Sequence, residues 1–541
     1  MGLLAGAREQ LVPLAEGERG RNDRPDALPR HGEAVPFERF TRDVQRRSPR
    51  TELAGKMRDV SRSSVILFAL ALVSSSSQDG AVAPAKTASP GSIRNVVVIT
   101  LDTVRADHLG CYGYIRDTTP HLDAFAKECV RFTRCLAPIA QTTPSHSSLF
   151  TGVPPIEHGV LSNFFSRPAD EREEHALRTS PTLQTFAQVL HAKGFRTGGF
   201  VAATPVKRFT GLCAGFEEWT EPKDARRAGS EAIADAIRFL DHAADAPTFA
   251  WIHLFDAHGP MKAPFPPQEY LERFHTDPVL EAWLAARGFP DQVDGEHSGP
   301  MPPSHAHNIY DGALRYLDDQ LDALLQRLRR DDLWGSTAIV ILADHGHGLG
   351  QHGYLSHGTC WDEQYRVPLL LRVPGLAPAT IDRLCSTIDV LPTLLALVPS
   401  LADAGFVTQC RGTNVLSDDF EPRPVFGMAP IEKKSTSLTT TKYKLLRRRE
   451  RAPELYDLEA DPYELHDVAA QHPDIVEKLG RLLAADVTRQ EKSEKLHHRD
   501  AADASGAIDA TVLQELRELG YGAGDDDDGP PPPAPKPKDG D

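Results

Sequence analysis

Three short segments of this chain carry residue types that could perform ester chemistry together. They are Asp102-Thr103, Thr142-Thr143-Pro144-Ser145-His146 and Asp344-His345-Gly346-His347-Gly348. Two carboxylates held close in an interior repel and raise each other's pKa, and a divalent cation between them removes the conflict. Carboxylate oxygens with one imidazole suit Mg²⁺, Ca²⁺, Mn²⁺ or Zn²⁺. An aspartate at a strand end is usually a turn or capping residue. Asp102, Asp344 and a hydroxyl residue between them in sequence point instead to a centre holding one divalent cation.

Thr142 has two readings. As a cap, its hydroxyl would sit among the free N–H groups of a helix beginning near Thr143-Pro144. As a nucleophile it needs activation. Metal ligation lowers the pKa of a bound water from 15.7 to roughly 7–9, a shift of ~7 units or ~9 kcal/mol. A helix dipole supplies only ~1 kcal/mol. A metal alone is large enough an effect to make Thr142 useful. Histidines crowd the remaining positions: His146, His253, His258, His347, His352 and His357. Protonated, they could hold an anionic ester, and neutral, one could pass a proton to a leaving oxygen.

Strands must position these groups. Asn95–Leu101 (NVVVITL) is a β-branched apolar run, the pattern of a buried parallel strand, and it ends at Asp102. Thr337–Ala343 (TAIVILA) ends at Asp344, and Thr248–Phe255 (TFAWIHLF) holds His253. Phe195–Val201 and Val367–Val373 read as further strands. Helices are expected from Thr119-Pro120 to Val130, over Pro181–Gly194, over Ala306–Arg329 and over Thr387–Leu397. Such alternation indicates an α/β sheet with helices on both faces, and its sites lie at strand ends. Residues 259–304 are punctuated by Pro and Gly and read as a long loop insertion that shapes substrate access. From about residue 405, short strands such as Lys442–Leu446 suggest a smaller subdomain.

The 541 residues are 40 % hydrophobic and 25 % charged, which excludes a wholly disordered chain. With a net charge of −16 and no dominant basic patch, nucleic acid is not an expected partner. Seven cysteines without a CxxC pair argue against a zinc ribbon or a disulfide scaffold. Met57-Arg58-Asp59-Val60-Ser61-Arg62, the apolar run Val65–Val73 and small residues after it describe a secretory signal peptide over 57–83, starting at Met57. Residues 1–56 then form a non-native or disordered extension, and the protein is expected in the periplasm or outside the cell. The apolar run is too short for a transmembrane span. The tail 523–541, acidic and then Pro-rich, is expected to be disordered.

The motifs, taken in order, resemble those of the sulfatase family within the alkaline phosphatase superfamily. Leu101–Gly113 (LDTVRADHLGCYG) is similar to its N-terminal metal motif. Thr142–Gly152 (TTPSHSSLFTG) is similar to its nucleophile motif, of usual form C/S-x-P-S-R-x-x-L-x-T-G. His253–His258 (HLFDAH) resembles its central histidine motif, and Asp344–Gly358 (DHGHGLGQHGYLSHG) its second metal motif. Glu454–Leu458 with Asp461-Pro462 resembles its C-terminal signature. The resemblance spans residues 94–470. It implies a mixed, mostly parallel sheet of roughly ten strands between helices in a catalytic domain over 90–404. A small antiparallel-sheet subdomain over 405–522 follows from it too. It implies metal ligation by Asp102, Asp344, His345 and the oxygen of residue 142. It places His253 and His357 on the anionic group or the leaving oxygen, and Asn163 and His258 on the substrate.

This chain departs from the family pattern at three positions. The Cys or Ser converted to formylglycine is Thr142, which cannot become that aldehyde hydrate. The Arg four residues on is His146, and Thr103 replaces a second Asp. Relatives with Thr at this position include phosphodiesterases and phosphoethanolamine or phosphoglycerol transferases, which pass through a phospho-threonine. The expected activity is therefore attack by a metal-activated Thr142 on a phosphodiester- or phosphonate-type ester, with His146 among the catalytic groups. The substrate would be a sulfated or phosphorylated small molecule, glycan or lipid headgroup. Sulfate ester hydrolysis is the alternative, and a catalytically silent binder of anionic glycans is a second one.

Overall fold

The computed structural model describes residues 93–163, 182–242, 246–258, 266–295, 299–330, 333–430, 435–449, 451–497 and 510–519. The extension, the signal-peptide segment and the acidic tail expected from the sequence lie outside the described residues.

Strand β1 (Asn95–Leu101) is buried at every position, as its unbroken apolar run requires when both faces of a sheet are covered. It pairs in parallel with β5 (Thr248–Leu254) on one side and with β8 (Thr337–Ala343) on the other. The registers are level, with Leu101 opposite both Leu254 and Ala343. The residues that follow the three strands therefore emerge side by side. Among the described residues the sheet has nine strands, where the resemblance implies about ten. Its order is β10 (Ala379–Ile381), β2 (Val130–Leu136), β9 (Arg366–Arg372), β8, β1, β5, β3 (Arg196–Phe200) and β4 (Glu218–Thr220), with β11 (Cys385–Ser386) beside β2. Only β9 runs antiparallel to its neighbours β2 and β8.

The helices cover both faces. They include α1 (Pro120–Ala126), α2 (Thr142–Thr151), α3 (Phe186–Ala192), α4 (Gly229–Asp241), α5 (Pro303–Arg329) and α6 (Val390–Leu397). On α5, Leu314, Leu317, Leu321, Leu324, Leu325 and Leu328 form the buried stripe expected from helical spacing. Helix α3 starts at a capping box formed by Thr185 and Gln188, later than the expected Pro181. The expected helix over Thr387–Leu397 divides into a 3₁₀ turn, Thr387–Asp389, and α6.

Two expectations are corrected. The stretch after α1 was read as helix to Val130, yet Val130–Leu136 is a strand of the main sheet, because Val130, Phe132 and Cys135 bury against β9 and β10. The 259–304 insertion is not a plain loop where it is described. Asp277 caps a helix over Pro278–Ala285 through the N–H groups of Val279 and Leu280, and β6 (Val293–Gly295) pairs with β7 (Gly299–Met301). Asp-Pro before an apolar run was the sequence signal for that helix.

A four-stranded antiparallel sheet follows, in the order β12 (Val425–Ala429), β13 (Ser435–Thr439), β14 (Tyr443–Arg447) and β15 (Glu454–Asp457). A bridge between Ile139 and Met428 joins it to the segment before α2. Helix α7 (Pro473–His497) packs Leu479 and Leu483 into the same apolar cluster as Ile139 and Met428. Helix α8 (Ala510–Glu518) sends Leu516 against Ala202, Ala203, Ala225 and Phe255. No helix among the described residues is long and apolar enough to cross a membrane.

Candidate active site

The level ends of β8, β1 and β5 deliver Asp344, Asp102 and the Phe255–His258 turn to one edge of the sheet. The turn after β1 is tight. Thr103 has φ +57°, in the left-handed region that a β-branched residue rarely adopts. Three bonds hold it there. Thr103 N–H donates to Asp344 Oδ1 (3.1 Å), its hydroxyl donates to the Asp102 carbonyl (2.8 Å), and its own carbonyl accepts from the Tyr310 hydroxyl (2.8 Å).

Each carboxylate keeps one oxygen clear. Asp344 Oδ1 accepts the N–H of Thr103 and that of His345 (2.8 Å), which leaves Oδ2 without a hydrogen bond. Asp102 Oδ2 accepts from His253 Nε2 (3.0 Å), and Oδ1 is without one. Because Ala202 N–H donates to His253 Nδ1 (3.3 Å), the proton of that imidazole lies on Nε2. His345 Nδ1 faces the Gly346 carbonyl (2.9 Å), which can only accept, so its Nε2 presents a lone pair.

Thr142 is the first residue of α2 and not its cap, which is Gln141. This corrects the capping expectation. Its hydroxyl is fully buried and makes no hydrogen bond, although it stands against Asp102 closely enough to affect that carboxylate. Helix α2 is pinned by Ser145 Oγ donating to the Asp344 carbonyl (2.6 Å) and by Thr143 N–H donating to Asn163 Oδ1 (2.8 Å). Asn163 Nδ2 is buried and unpartnered, an available donor beside the helix start.

Thus Asp102 Oδ1, Thr142 Oγ1, Asp344 Oδ2 and His345 Nε2 are four buried polar atoms without hydrogen-bond partners. Donor atoms of Asp102, Asp344 and His345 lie within 4.8 Å of one another. Buried polar atoms are ordinarily satisfied, so a cluster of orphans with this chemistry fits a divalent cation. The His345 tautomer, fixed through Nδ1, is the one a metal requires. The apo electrostatics agree. Burial raises the Asp102 pKa far above the usual carboxylate range, tempered by Thr142 and Asp344. Burial, then the charge of Asp102, raises Asp344 to about 7. Burial lowers His345 to about 4.

Two expected catalytic histidines are engaged inside the protein. His146 Nδ1 donates to the Thr142 carbonyl (2.8 Å), and its Nε2 accepts from the Thr100 hydroxyl (2.9 Å), which in turn accepts from Trp251 Nε1 (3.0 Å). This chain braces the backbone of residue 142. His253 has both nitrogens occupied, as described, and steadies Asp102. Burial lowers both imidazoles to about 4, which keeps them neutral.

His258 and His357 meet directly, Nε2 to Nε2 at 3.2 Å. His357 Nδ1 donates to the Ala140 carbonyl (2.9 Å), so the proton between the two rings belongs to His258 Nε2. Burial lowers His357 to about 3 and His258 well below its ordinary value. His347, one of the histidines expected to hold an anionic ester or pass a proton, joins this group with its ring 5.9 Å from that of His357. His352 does not. It stacks on Trp361 at 3.8 Å and pairs with Glu363 (3.0 Å). A further group of His121, Asp318 and Asp319 is already engaged. Asp318 accepts the N–H groups of His121 and Leu122, and Asp319 holds Arg315 and Tyr270. Arg226, which lies in no motif, stands on a segment paired with residues 202–204.

Comparison with known proteins identifies the family. The sulfatase family model matches residues 94–400. An ulvan-active sulfatase of Formosa agariphila is 26% identical over 419 residues, covering 69% of this chain and 76% of that protein. Among solved structures, a phosphonate monoester hydrolase of Agrobacterium radiobacter superposes with a TM-score of 0.55 at 21% identity, covering 74% of this chain and 96% of its own. A protein solved with its substrate D-glucosamine-2-N,6-O-disulfate superposes with a TM-score of 0.56 at 19% identity, covering 75% of this chain and 100% of its own. At these identities the structural likenesses speak for the fold.

Proposed function

Because the chain belongs to the sulfatase family, we propose that it hydrolyses an anionic sulfate- or phosphate-type ester through Thr142, with phosphodiester or phosphonate esters preferred. One observation carries this reading. The Thr142 hydroxyl is buried and unbonded beside three other unbonded donors, those of Asp102, Asp344 and His345. These four residues would hold one divalent cation, which when bound acidifies the Thr142 hydroxyl and draws charge from the ester.

The protein's own groups supply the rest. His146 fixes the carbonyl of residue 142 and, with it, the direction of the hydroxyl. Thr142 loses its proton to water and its Oγ attacks phosphorus or sulfur. The bond to the leaving oxygen breaks, and that oxygen takes a proton from water, beside the neutral His258–His357 pair that packs against His345. Asn163 Nδ2 is placed to donate to a non-bridging oxygen near the helix start. Water then cleaves the Thr142 ester and regenerates the hydroxyl. Thr142 has no route to a formylglycine, so the aldehyde chemistry of Cys- and Ser-bearing sulfatases is not part of this reading.

A second reading, sulfate ester hydrolysis by the same Thr142, draws support from the relatives named as sulfatases. Purified protein assayed with each of several divalent ions on aryl sulfate, phosphate, phosphodiester and phosphonate esters separates the two. A higher kcat/KM for the phosphodiester or phosphonate supports the first, and a higher value for the sulfate the second. Unchanged activity in Thr142→Ala overturns both.

A further inference from the structure

We propose that Arg226 anchors a second anionic group of the substrate, a carboxylate, sulfate or phosphate carried near the ester that is cleaved. The proposal rests on the reading of the site as an anionic-ester hydrolase and names the substrate class more closely: a molecule with at least two negative groups.

Residues 225–227 run antiparallel to residues 202–204. Ala203 bridges Arg226, Arg227 N–H donates to the Ala202 carbonyl (2.9 Å), and Thr204 N–H donates to the Ala225 carbonyl (2.9 Å). Ala202 is the residue whose N–H fixes His253, so this ribbon borders the centre. Successive side chains of an extended segment point to opposite sides. Arg227 turns away from the centre, to the Val201 carbonyl, Asp235 and Thr220. Arg226 therefore projects from the opposite side of the ribbon to Arg227, and its charge is felt at Asp256 and His258.

No hydrogen bond or ion pair among the described residues engages the Arg226 side chain, which is half-buried. Its cationic neighbours are occupied. Lys207 Nζ is 2.6 Å from Glu515 Oε2, and Arg227 is bound as above. Asp256 lies within electrostatic reach but directs Oδ1 to the Gly229 N–H (3.0 Å) and forms no ion pair with Arg226. The Arg226 guanidinium is open to solvent, and its planar fork matches carboxylate, sulfate or phosphate oxygens. The ring of His258 stacks on Phe255 at 4.2 Å.

The test is calorimetric titration of the full chain, supplied with a divalent ion, against benzenesulfonate and the ortho, meta and para sulfobenzoates. At least one sulfobenzoate is expected to bind about tenfold more tightly than benzenesulfonate, as a charged hydrogen bond predicts. Arg226→Met should reduce that preference to within about twofold, while Arg226→Lys should retain part of it. No preference in the wild type, or a preference that survives Arg226→Met, overturns the assignment. Should Arg226→Met lose cooperative melting, the Arg226→Lys comparison decides in its place, and an unaltered preference there overturns the proposal. Turnover of the ester panel is read separately. A preference that depends on Arg226 in a protein without turnover upholds the subsite and overturns the hydrolase reading.

Discussion

His253 Nε2 stands 3.0 Å from Asp102 Oδ2, and the N–H of Ala202 fixes the opposite face of the same ring. One oxygen of Asp102 is thereby aimed and the other left clear. His253→Ala should free the carboxylate to rotate. It should weaken divalent-ion affinity about 10–100-fold, as removal of a ligand-orienting partner does. The ion concentration giving half-maximal activity measures this. An unchanged value would sink the positioning role.

Thr142→Ala should lower kcat at least 10³-fold on every ester the wild type cleaves, with a melting temperature close to the wild-type value. The hydroxyl makes no hydrogen bond in the fold, so little stability is lost with it. Thr142→Ser should keep measurable activity, since it retains the nucleophilic oxygen. Steady-state kinetics beside a thermal melt checks both variants.

Chelation should lower the melting temperature, and restoring the ion should raise it again. At a hundredfold excess over Kd a ligand specific for the folded state adds about 2.7 kcal/mol, a shift of several degrees. Asp344→Asn removes a ligand and should abolish most of that response. Melts with and without chelator read the difference.

His352, which is not one of the candidate cation donors, provides a pH-dependent contribution. Burial alone would lower its pKa, but Glu363 and then Glu464 outweigh that and hold it above the ordinary 6.5. A histidine with a raised folded pKa contributes stability that is complete below 6.5 and is lost as pH rises through the folded value. Wild-type melting temperature should therefore fall more steeply above neutral pH than that of His352→Gln. Parallel curves for the two proteins would contradict the assignment.

Glu515 on α8 pairs with Lys207 and also accepts from the Thr204 hydroxyl (2.8 Å). Glu515→Ala would leave Lys207 buried and unpaired. Breaking a buried pair from one side costs about 3–5 kcal/mol. Denaturant titration should show that loss, and Lys207→Met with Glu515→Leu should recover much of it.

Local chemistry made much of this legible from sequence. Asn95–Leu101 and Thr337–Ala343 are strands at the expected residues, because an unbroken β-branched run has few other ways to be buried. Asp102, Asp344 and His345 converge because each directly follows such a strand. What escaped depends on long-range geometry. The segment after α1 carries both helical and strand patterns, and pairing with β9 decided for the strand at Val130–Leu136. His146 is four residues from Thr142, where a catalytic role suggests itself, but a helical turn directs its Nδ1 back onto the Thr142 carbonyl. The meeting of His258 with His357 spans 99 residues and no periodicity announces it.

The level register of β8, β1 and β5 has one further consequence. The donors hang from the most deeply buried part of the sheet, whereas Arg226 and the 266–304 segment stand on connections outside it. Changes in those connections need not move the four candidate ion donors. The fold therefore separates the groups that would grip the ion from the connections that surround them.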